Sequence, residues 1–307
     1  MVIAENIGSI GIAVDWIHKH LYWTDGDLKQ IAVSTLDGQI KYALITKDVE
    51  NPRAIVVEPK SGYMYWTELG QNPRIEKCGL DGTLRKVIVH TDIESPNGLT
   101  LDFVDERLYW VDAKHDYIAS VDFDGGNRRT VYQAQSNSHS FGITIFGDFM
   151  YWTDWITFSV YKIHKYGGYA PEVVFTSLRQ PKGIQAIHES RQPLSENKCG
   201  TDNGGCSDLC LPSPVIDKGR KYRCVCRDNF TLSYDEKSCV ESDFETDVLI
   251  ALHTVIENQK EGLVLLRELV NKEGDGQVLD KTISDKTEIL VEDHKQNTLL
   301  ILTIRRT

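Results

Sequence analysis

Leu21-Tyr22-Trp23-Thr24-Asp25 decides the reading of this chain. The same five-residue word returns as Met64-Tyr65-Trp66-Thr67-Glu68, Leu108-Tyr109-Trp110-Val111-Asp112 and Met150-Tyr151-Trp152-Thr153-Asp154. Its tyrosines stand 43, 44 and 42 residues apart. A fixed period in the low forties marks an array of one supersecondary unit. Aromatic and β-branched residues favour a pleated strand, and alternation puts Tyr and Thr on one side, Trp and Asp on the other. The rings are read as packing between neighbouring units, and the acidic residue as a clamp on turn N–H groups. Trp155, just past the fourth word, is read instead as a surface aromatic and a binding anchor.

Around each word lie the same landmarks. A small residue opens an alternating strand: Gly11-Ile12-Ala13-Val14-Asp15, Ala54-Ile55-Val56-Val57-Glu58, Gly98-Leu99-Thr100-Leu101-Asp102 and Gly142-Ile143-Thr144-Ile145-Phe146. The word follows, then a third strand ending at Asp37-Gly38, Asp81-Gly82, Asp124-Gly125 or Gly167-Gly168, then a fourth apolar strand. Four short strands joined by Gly-bearing turns predict one blade of a β-propeller. The fold class is therefore all-β: an incomplete propeller over 1–190, a disulfide-rich module over 191–240 and an unassigned tail over 241–307.

Composition narrows the function. The 307 residues are 41% apolar and 26% charged, ordinary for a globular chain, and the net charge of -11 argues against nucleic acid. No nucleophile motif, phosphate loop or metal-ligand pair at helical spacing is present. The chain is read as no enzyme, with no metal or cofactor of its own. No apolar run reaches the length of a membrane span, and the first residues do not read as a signal peptide. The sequence is therefore read as a piece of something longer, attached to a membrane only through a segment it does not contain.

Six of the seven cysteines crowd between Cys199 and Cys239, which implies disulfides and an oxidising compartment. Their gaps of 6, 3, 13, 1 and 12 residues fit an epidermal-growth-factor-like module. Spacing alone leaves the pairing open. A zinc site competes poorly, since Cys-x-Cys and the lack of nearby His do not suit it. Cys78 is the odd one, read as a buried free thiol. Asn229-Phe230-Thr231 is a glycosylation sequon. In the tail, apolar residues from Val248 to Val270 suit helices, while 287–292 and 298–304 read as strands.

Tyr-Trp-Thr-Asp repeats of this period, followed by such a module, resemble the low-density lipoprotein receptor family. Ala13-Val14-Asp15-Trp16-Ile17-His18, Ser95-Pro96-Asn97-Gly98-Leu99-Thr100-Leu101-Asp102 and Ser120-Val121-Asp122-Phe123-Asp124-Gly125-Gly126-Asn127-Arg128 carry the likeness, with Asn203-Gly204-Gly205-Cys206 and Cys210-Leu211-Pro212 in the module. The resemblance, nearest to the lipoprotein and very-low-density lipoprotein receptor type, implies a six-bladed propeller of which this chain supplies the last four blades as an open arc. Met1 to Asn6 would close a missing blade, and Pro181 to Ile187 would complete the last one. It implies the pairing Cys199–Cys210, Cys206–Cys224 and Cys226–Cys239. The short linker over 189–198 is read as docking the module rigidly on the side of the last blades. Calcium belongs to cysteine-rich repeats absent from this chain, because Ser195-Glu196-Asn197-Lys198 lacks the acidic signature of a calcium-binding module.

The functional expectation follows from the same resemblance. The segment belongs to an endocytic receptor, at the cell surface and in endosomes. Its partners are protein cargo such as lipoproteins or vitellogenin, and the receptor's own cysteine-rich repeats, which the propeller takes up at acidic pH while cargo leaves. Histidine, with an unperturbed pKa of ~6.5, supplies such a switch. His139 occupies the family's position, and His115 stands one residue from another. His18 and His20 flank a turn and are read as solvated. Two rivals remain: a basement-membrane protein of the nidogen type, and the receptor class that assists Wnt signalling.

Overall fold

The computed structural model describes residues 9–134, 138–217, 219–242, 250, 286–293 and 298–305, the last two stretches as backbone. Two compact units are present, Met1–Cys239 and Val240–Thr307. Among the described residues the first holds four four-stranded antiparallel sheets, each a simple meander in chain order.

Blade 1 comprises β1 (Ser9–Asp15), β2 (His20–Asp25), β3 (Gln30–Thr35) and β4 (Lys41–Ile45). Blade 2 comprises β5 (Pro52–Glu58), β6 (Tyr63–Glu68), β7 (Arg74–Gly79) and β8 (Lys86–Val89). Blade 3 comprises β9 (Pro96–Asp102), β10 (Arg107–Asp112), β11 (Tyr117–Asp122) and β12 (Arg129–Gln133). Blade 4 comprises β13 (Ser140–Phe146), β14 (Phe149–Asp154), β15 (Ser159–His164) and β16 (Glu172–Phe175). Every word is the second strand of its blade. The turn glycines Gly38, Gly82, Gly125, Gly167 and Gly168 all have positive φ, the conformation that favours glycine at these hairpins.

The alternation of the word builds the seams. Tyr22 shares an apolar cluster with Trp66 of the next blade, Tyr65 with Trp110, and Tyr109 with Trp152. These six rings are at most 2% exposed, so the seams are the core. The threonine adds a polar tie. Thr24 Oγ1 accepts from Gly11 N–H and donates to Arg53 O of the next blade at 2.5 Å. Thr153 repeats this with Gly142 N–H and Lys182 O. The small residue is required because a Cβ at Gly11 would lie 2.3 Å from Arg53 O, and one at Gly98 2.4 Å from Phe141 O. Lysines staple two seams: Lys77 Nζ reaches Asp124 at 2.6 Å, and buried Lys165 Nζ reaches Asp102 and Asp105 at 2.7 and 2.9 Å. Burial alone would lower the Lys165 pKa, but its two carboxylates outweigh burial and hold it raised.

The array has open ends. Successive innermost strands pack side by side, β1 on β5, β5 on β9 and β9 on β13. At the end of the array Tyr151 is only half-buried, unlike its three counterparts, and at the start Ile12 is 65% exposed.

Residues 181–187 do not complete the last blade, contrary to expectation. Blade 4 already has four strands of its own. The segment instead occupies the innermost position of a following blade. Lys182 O, Ile184 N and Gly183 Cα surround Gly142 as Phe141 O, Ile143 N and Gly142 Cα surround Gly98. Met1 to Asn6 lies outside the described residues.

The module contains β17 (Leu209–Asp217), β18 (Arg220–Val225), β19 (Phe230–Leu232) and β20 (Cys239–Glu241). Its cysteines pair as Cys199–Cys210, Cys206–Cys224 and Cys226–Cys239. The core of the module is itself made of four half-cystines packed with Tyr222 and Leu232. Cys78 is a buried free cysteine whose thiol burial pushes up to about 12.

The module docks on blades 1 and 2, not on the last blades. Leu209, Leu211 and Val225 join the cluster of Tyr22, Trp66, Cys78 and Leu80. The reason lies in one repeat position. Leu80 follows β7 with its N–H on Gly62 O, and Lys165 follows β15 with its N–H on Asp148 O. Blade 2 therefore offers an apolar side chain where blade 4 offers a lysine already committed to two carboxylates. The linker straps back to reach this surface. Arg191 donates to Leu101 O, and Trp16 Nε1 donates to Pro193 O at 3.0 Å.

His18 and His20 are buried at this docking side rather than solvated, at 7% and 4% exposure. His18 Nδ1 lies 2.7 Å from Asp15 Oδ2, and its Nε2 accepts from Lys198 N–H. Burial drives the His20 pKa down to about 4, against an opposing pull from Asp15.

The second unit shows β21 (Lys286–Asp293) paired antiparallel with β22 (Thr298–Arg305), as the tail pattern predicts. The helices expected between 248 and 270 lie, apart from Ile250, outside the described residues.

Candidate functional site

In blades 3 and 4 the acidic residue of the word fastens the loop entering the blade to the turn leaving the word; Glu68 holds the loop and Asp25 the turn. Glu68 Oε2 accepts from Glu50 and Asn51 N–H, Asp112 Oδ2 from Glu94 and Ser95 N–H, and Asp154 Oδ2 from His139 N–H and the Ser138 hydroxyl. Asp25, Asp112 and Asp154 each use Oδ1 to hold two N–H groups of the following turn. One backbone bond completes each clamp: Leu69 N–H to Asn51 O, Ala113 N–H to Ser95 O, and Trp155 N–H to His139 O.

These bonds put three residue pairs at equivalent places: Asn51 with Leu69, Ser95 with Ala113, and His139 with Trp155. The scaffold is the same in each, so the side chains are free to differ. Blade 4 places a histidine and an indole where blades 2 and 3 carry no ring. The rings of His139 and Trp155 lie 5.5 Å apart. Phe141 stacks on the indole at 4.8 Å and 7°, and Lys182 Nζ stands 5.7 Å from its centre. Trp155 is half-buried rather than fully superficial, and its Nε1 is buried without a hydrogen-bond partner among the described residues.

Asp116 comes to this cluster from the β10–β11 turn. Its Oδ1 is buried with no hydrogen-bond partner among the described residues. Burial raises its carboxyl pKa, the nearby Asp154 raises it further, and His139 counters both. The site thus offers an unsatisfied acceptor, an unsatisfied indole donor and a titratable ring together. His115 is exposed and turns elsewhere: it stacks on Tyr117, with Nε2 3.7 Å from Glu94 Oε2. The structure therefore joins His139 to Trp155 and gives His115 different partners. Asp116, Phe141 and Lys182 were not singled out from sequence. Comparing equivalent repeat positions would have found Phe141, which aligns with Arg53 and Asn97. Asp116 has no such signal, because only burial distinguishes it from other turn aspartates.

Among the described residues no three His, Cys, Asp or Glu side chains gather closely enough to hold a metal ion. None of the described helices is long and apolar enough to cross a membrane.

The family described as low-density lipoprotein receptor repeat class B matches residues 19–57, 62–103 and 106–146. The coagulation factor Xa inhibitory site family matches residues 199–239. The chain is 43% identical over 254 residues to low-density lipoprotein receptor-related protein 5 of Mus musculus, covering 83% of this chain and 15% of that protein. It thus spans a small part of that relative's length. Among solved structures, a nidogen/laminin complex is similar at 31% identity and a TM-score of 0.52, covering 58% of this chain and 68% of that chain. A gluconolactonase of Xanthomonas campestris shares the fold at 16% identity and a TM-score of 0.50, covering 60% of this chain and 67% of that one.

Proposed function

This chain belongs to the low-density lipoprotein receptor family, and from that premise we propose that it is the propeller segment through which an endocytic receptor binds protein at acidic pH and gives up its cargo. The observation that carries the reading is the cluster of His139, Trp155 and Asp116, where a buried carboxylate oxygen and a buried indole N–H both lack partners. Buried unsatisfied polar atoms are costly, and a rotation of these side chains on binding would bring them to a partner's donor and acceptor. The half-buried indole, stacked on Phe141 and tilted against His139, is the kind of rigid aromatic that anchors interfaces. Protonation adds positive charge between Asp116 and an incoming acidic surface, which strengthens binding as pH falls through the histidine range.

The partner is a calcium-loaded cysteine-rich repeat of the receptor itself, and lipoprotein or vitellogenin-type cargo is what it displaces. The calcium travels with that repeat. The role is non-catalytic. It is set outside the cell and in endosomes, with the membrane reached through other parts of the receptor.

Replacing Trp155 by Ala tests the site. The expected result is a loss of acid-pH affinity for such a repeat of 2 kcal/mol or more, about thirtyfold, as for a central aromatic anchor. Unchanged affinity in Trp155→Ala and Asp116→Asn together would remove the site from the interface.

A second reading is favoured by the likeness to a receptor-related protein and to the nidogen of a nidogen/laminin complex. The same cluster would then hold a matrix or signalling protein continuously. Binding that is equal at neutral and endosomal pH selects this reading.

A further inference from the structure

The module carries a feature that neither the propeller face nor the acid response uses. Asn229-Phe230-Thr231 is the only Asn-x-Ser/Thr triplet in the chain. Asn229 sits in a tight turn closed by Phe230 N–H on Arg227 O, with φ of 68°. Asparagine tolerates that left-handed backbone, so the turn alone accounts for Asn229. It does not account for Thr231, whose hydroxyl makes no hydrogen bond among the described residues. The Asn229 carboxamide is likewise unengaged, and the residue is exposed.

The surroundings are built without the carboxamide. Arg227 holds buried Asp208 through Nε and Nη2, and its guanidinium lies 5.5 Å from the Phe230 ring. Arg227, two residues before the triplet, and Phe230 within it are thus fixed, while the two polar groups that define it make no hydrogen bond among the described residues. The docking seam uses the other part of the module: Leu209, Leu211 and Val225 enter the shared cluster, and Lys198 Nζ bridges Ser61 O and Ser213 O. The bonds of β19 and β20 described here stay within the module, as in Ser207 N–H to Lys237 O and Cys239 N–H to the Ser207 hydroxyl. A large polar substituent at Asn229 therefore projects from the minor sheet and leaves the seam intact. Three disulfides place the module in the oxidising compartment where such substituents are added.

We propose that Asn229 is a site of N-linked glycosylation. The donor is a lipid-pyrophosphate-linked oligosaccharide. Asn229 Nδ2 bonds to the anomeric carbon of the first sugar, and the bond from that carbon to the pyrophosphate oxygen breaks. The lipid pyrophosphate leaves, and the displaced amide proton passes to a base of the transferase. No group changes oxidation state.

The test uses the full chain directed through the secretory pathway of a eukaryotic cell and treated with peptide N-glycosidase. The expected result is one downward mobility shift, with Asn229 converted to Asp in its peptide. Thr231→Ala removes the shift while keeping the turn asparagine, and Thr231→Ser retains it. Asn229→Asp, which keeps a residue tolerant of the left-handed turn, also removes it. A secreted wild-type chain with no shift overturns the proposal, as does a shift that persists in both Thr231→Ala and Asn229→Asp.

Discussion

The propeller blades and the cysteine-rich module solve the same problem by opposite means. Each seam between blades buries a tyrosine and a tryptophan from successive copies of one word. The module has about 40 residues, too few for an adequate apolar core, and its interior is largely sulfur. It completes its packing by adding Leu209, Leu211 and Val225 to the cluster of blades 1 and 2. Repetition lets one region build stability from aromatic area, while the other relies on cross-links and on its neighbour. Disturbing a seam should leave the module standing; disturbing the module should be felt at one seam only.

The largest effect should come from the seam between blades 2 and 3. Trp110→Ala empties a fully buried indole site and is expected to lower stability by about 3–5 kcal/mol, read as a fall in the urea midpoint. The three disulfides should survive in a peptide map. Next comes the module. Replacing Cys206 and Cys224 by Ser is expected to cost about 2–5 kcal/mol. Amide exchange should quicken in the module and at Leu80, with blade 4 unchanged.

Acid sharpens the contrast further. The His20 pKa is depressed in the fold to about 4, while an unfolded histidine titrates near 6.5. The unfolded chain therefore binds more protons between these values, and stability present above pH ~6.5 is lost as pH falls toward ~4. The full loss is about 3 kcal/mol. A pH series of melting temperatures should show it, and His20→Gln should flatten the curve. The smallest effect concerns the polar ties. Blade 3 has Val111 where Thr24, Thr67 and Thr153 stand. Thr153→Val should cost about 1 kcal/mol by removing the bonds to Gly142 and Lys182, whereas Val111→Thr should stay within about 1 kcal/mol of wild type. No loss in Thr153→Val would show that the hydroxyl ties carry no stability.

Much of this contrast was legible in the residues. The Tyr-Trp word gave the blades, because a period and an alternation are local properties. The clamp role of Asp25, Asp112 and Asp154 followed from the habit of aspartate in turns. The docking place of the module is not legible because it depends on Leu80 and Lys165, which fall just past a third strand, where alternation no longer says which side chain meets a neighbour. Flanking a turn suggests solvent for His18 and His20, but Lys198 N–H caps His18 and the His20 ring packs edge-on against Tyr22. Residues 181–187 have the sequence of a first strand, and only their course past Gly142 shows which blade they open. His139 and Trp155 were each visible alone; their contact, and the buried oxygen of Asp116 beside them, needed the fold.

The most direct test of the binding role is an isotherm of a calcium-loaded cysteine-rich receptor repeat against the whole chain at about pH 7.4 and about pH 5.5, for wild type and His139→Ala. The account predicts tenfold or tighter binding by wild type at the acid value, with that gain lost in the variant. Equal affinity at both pH values, or an acid gain that survives His139→Ala, would contradict it.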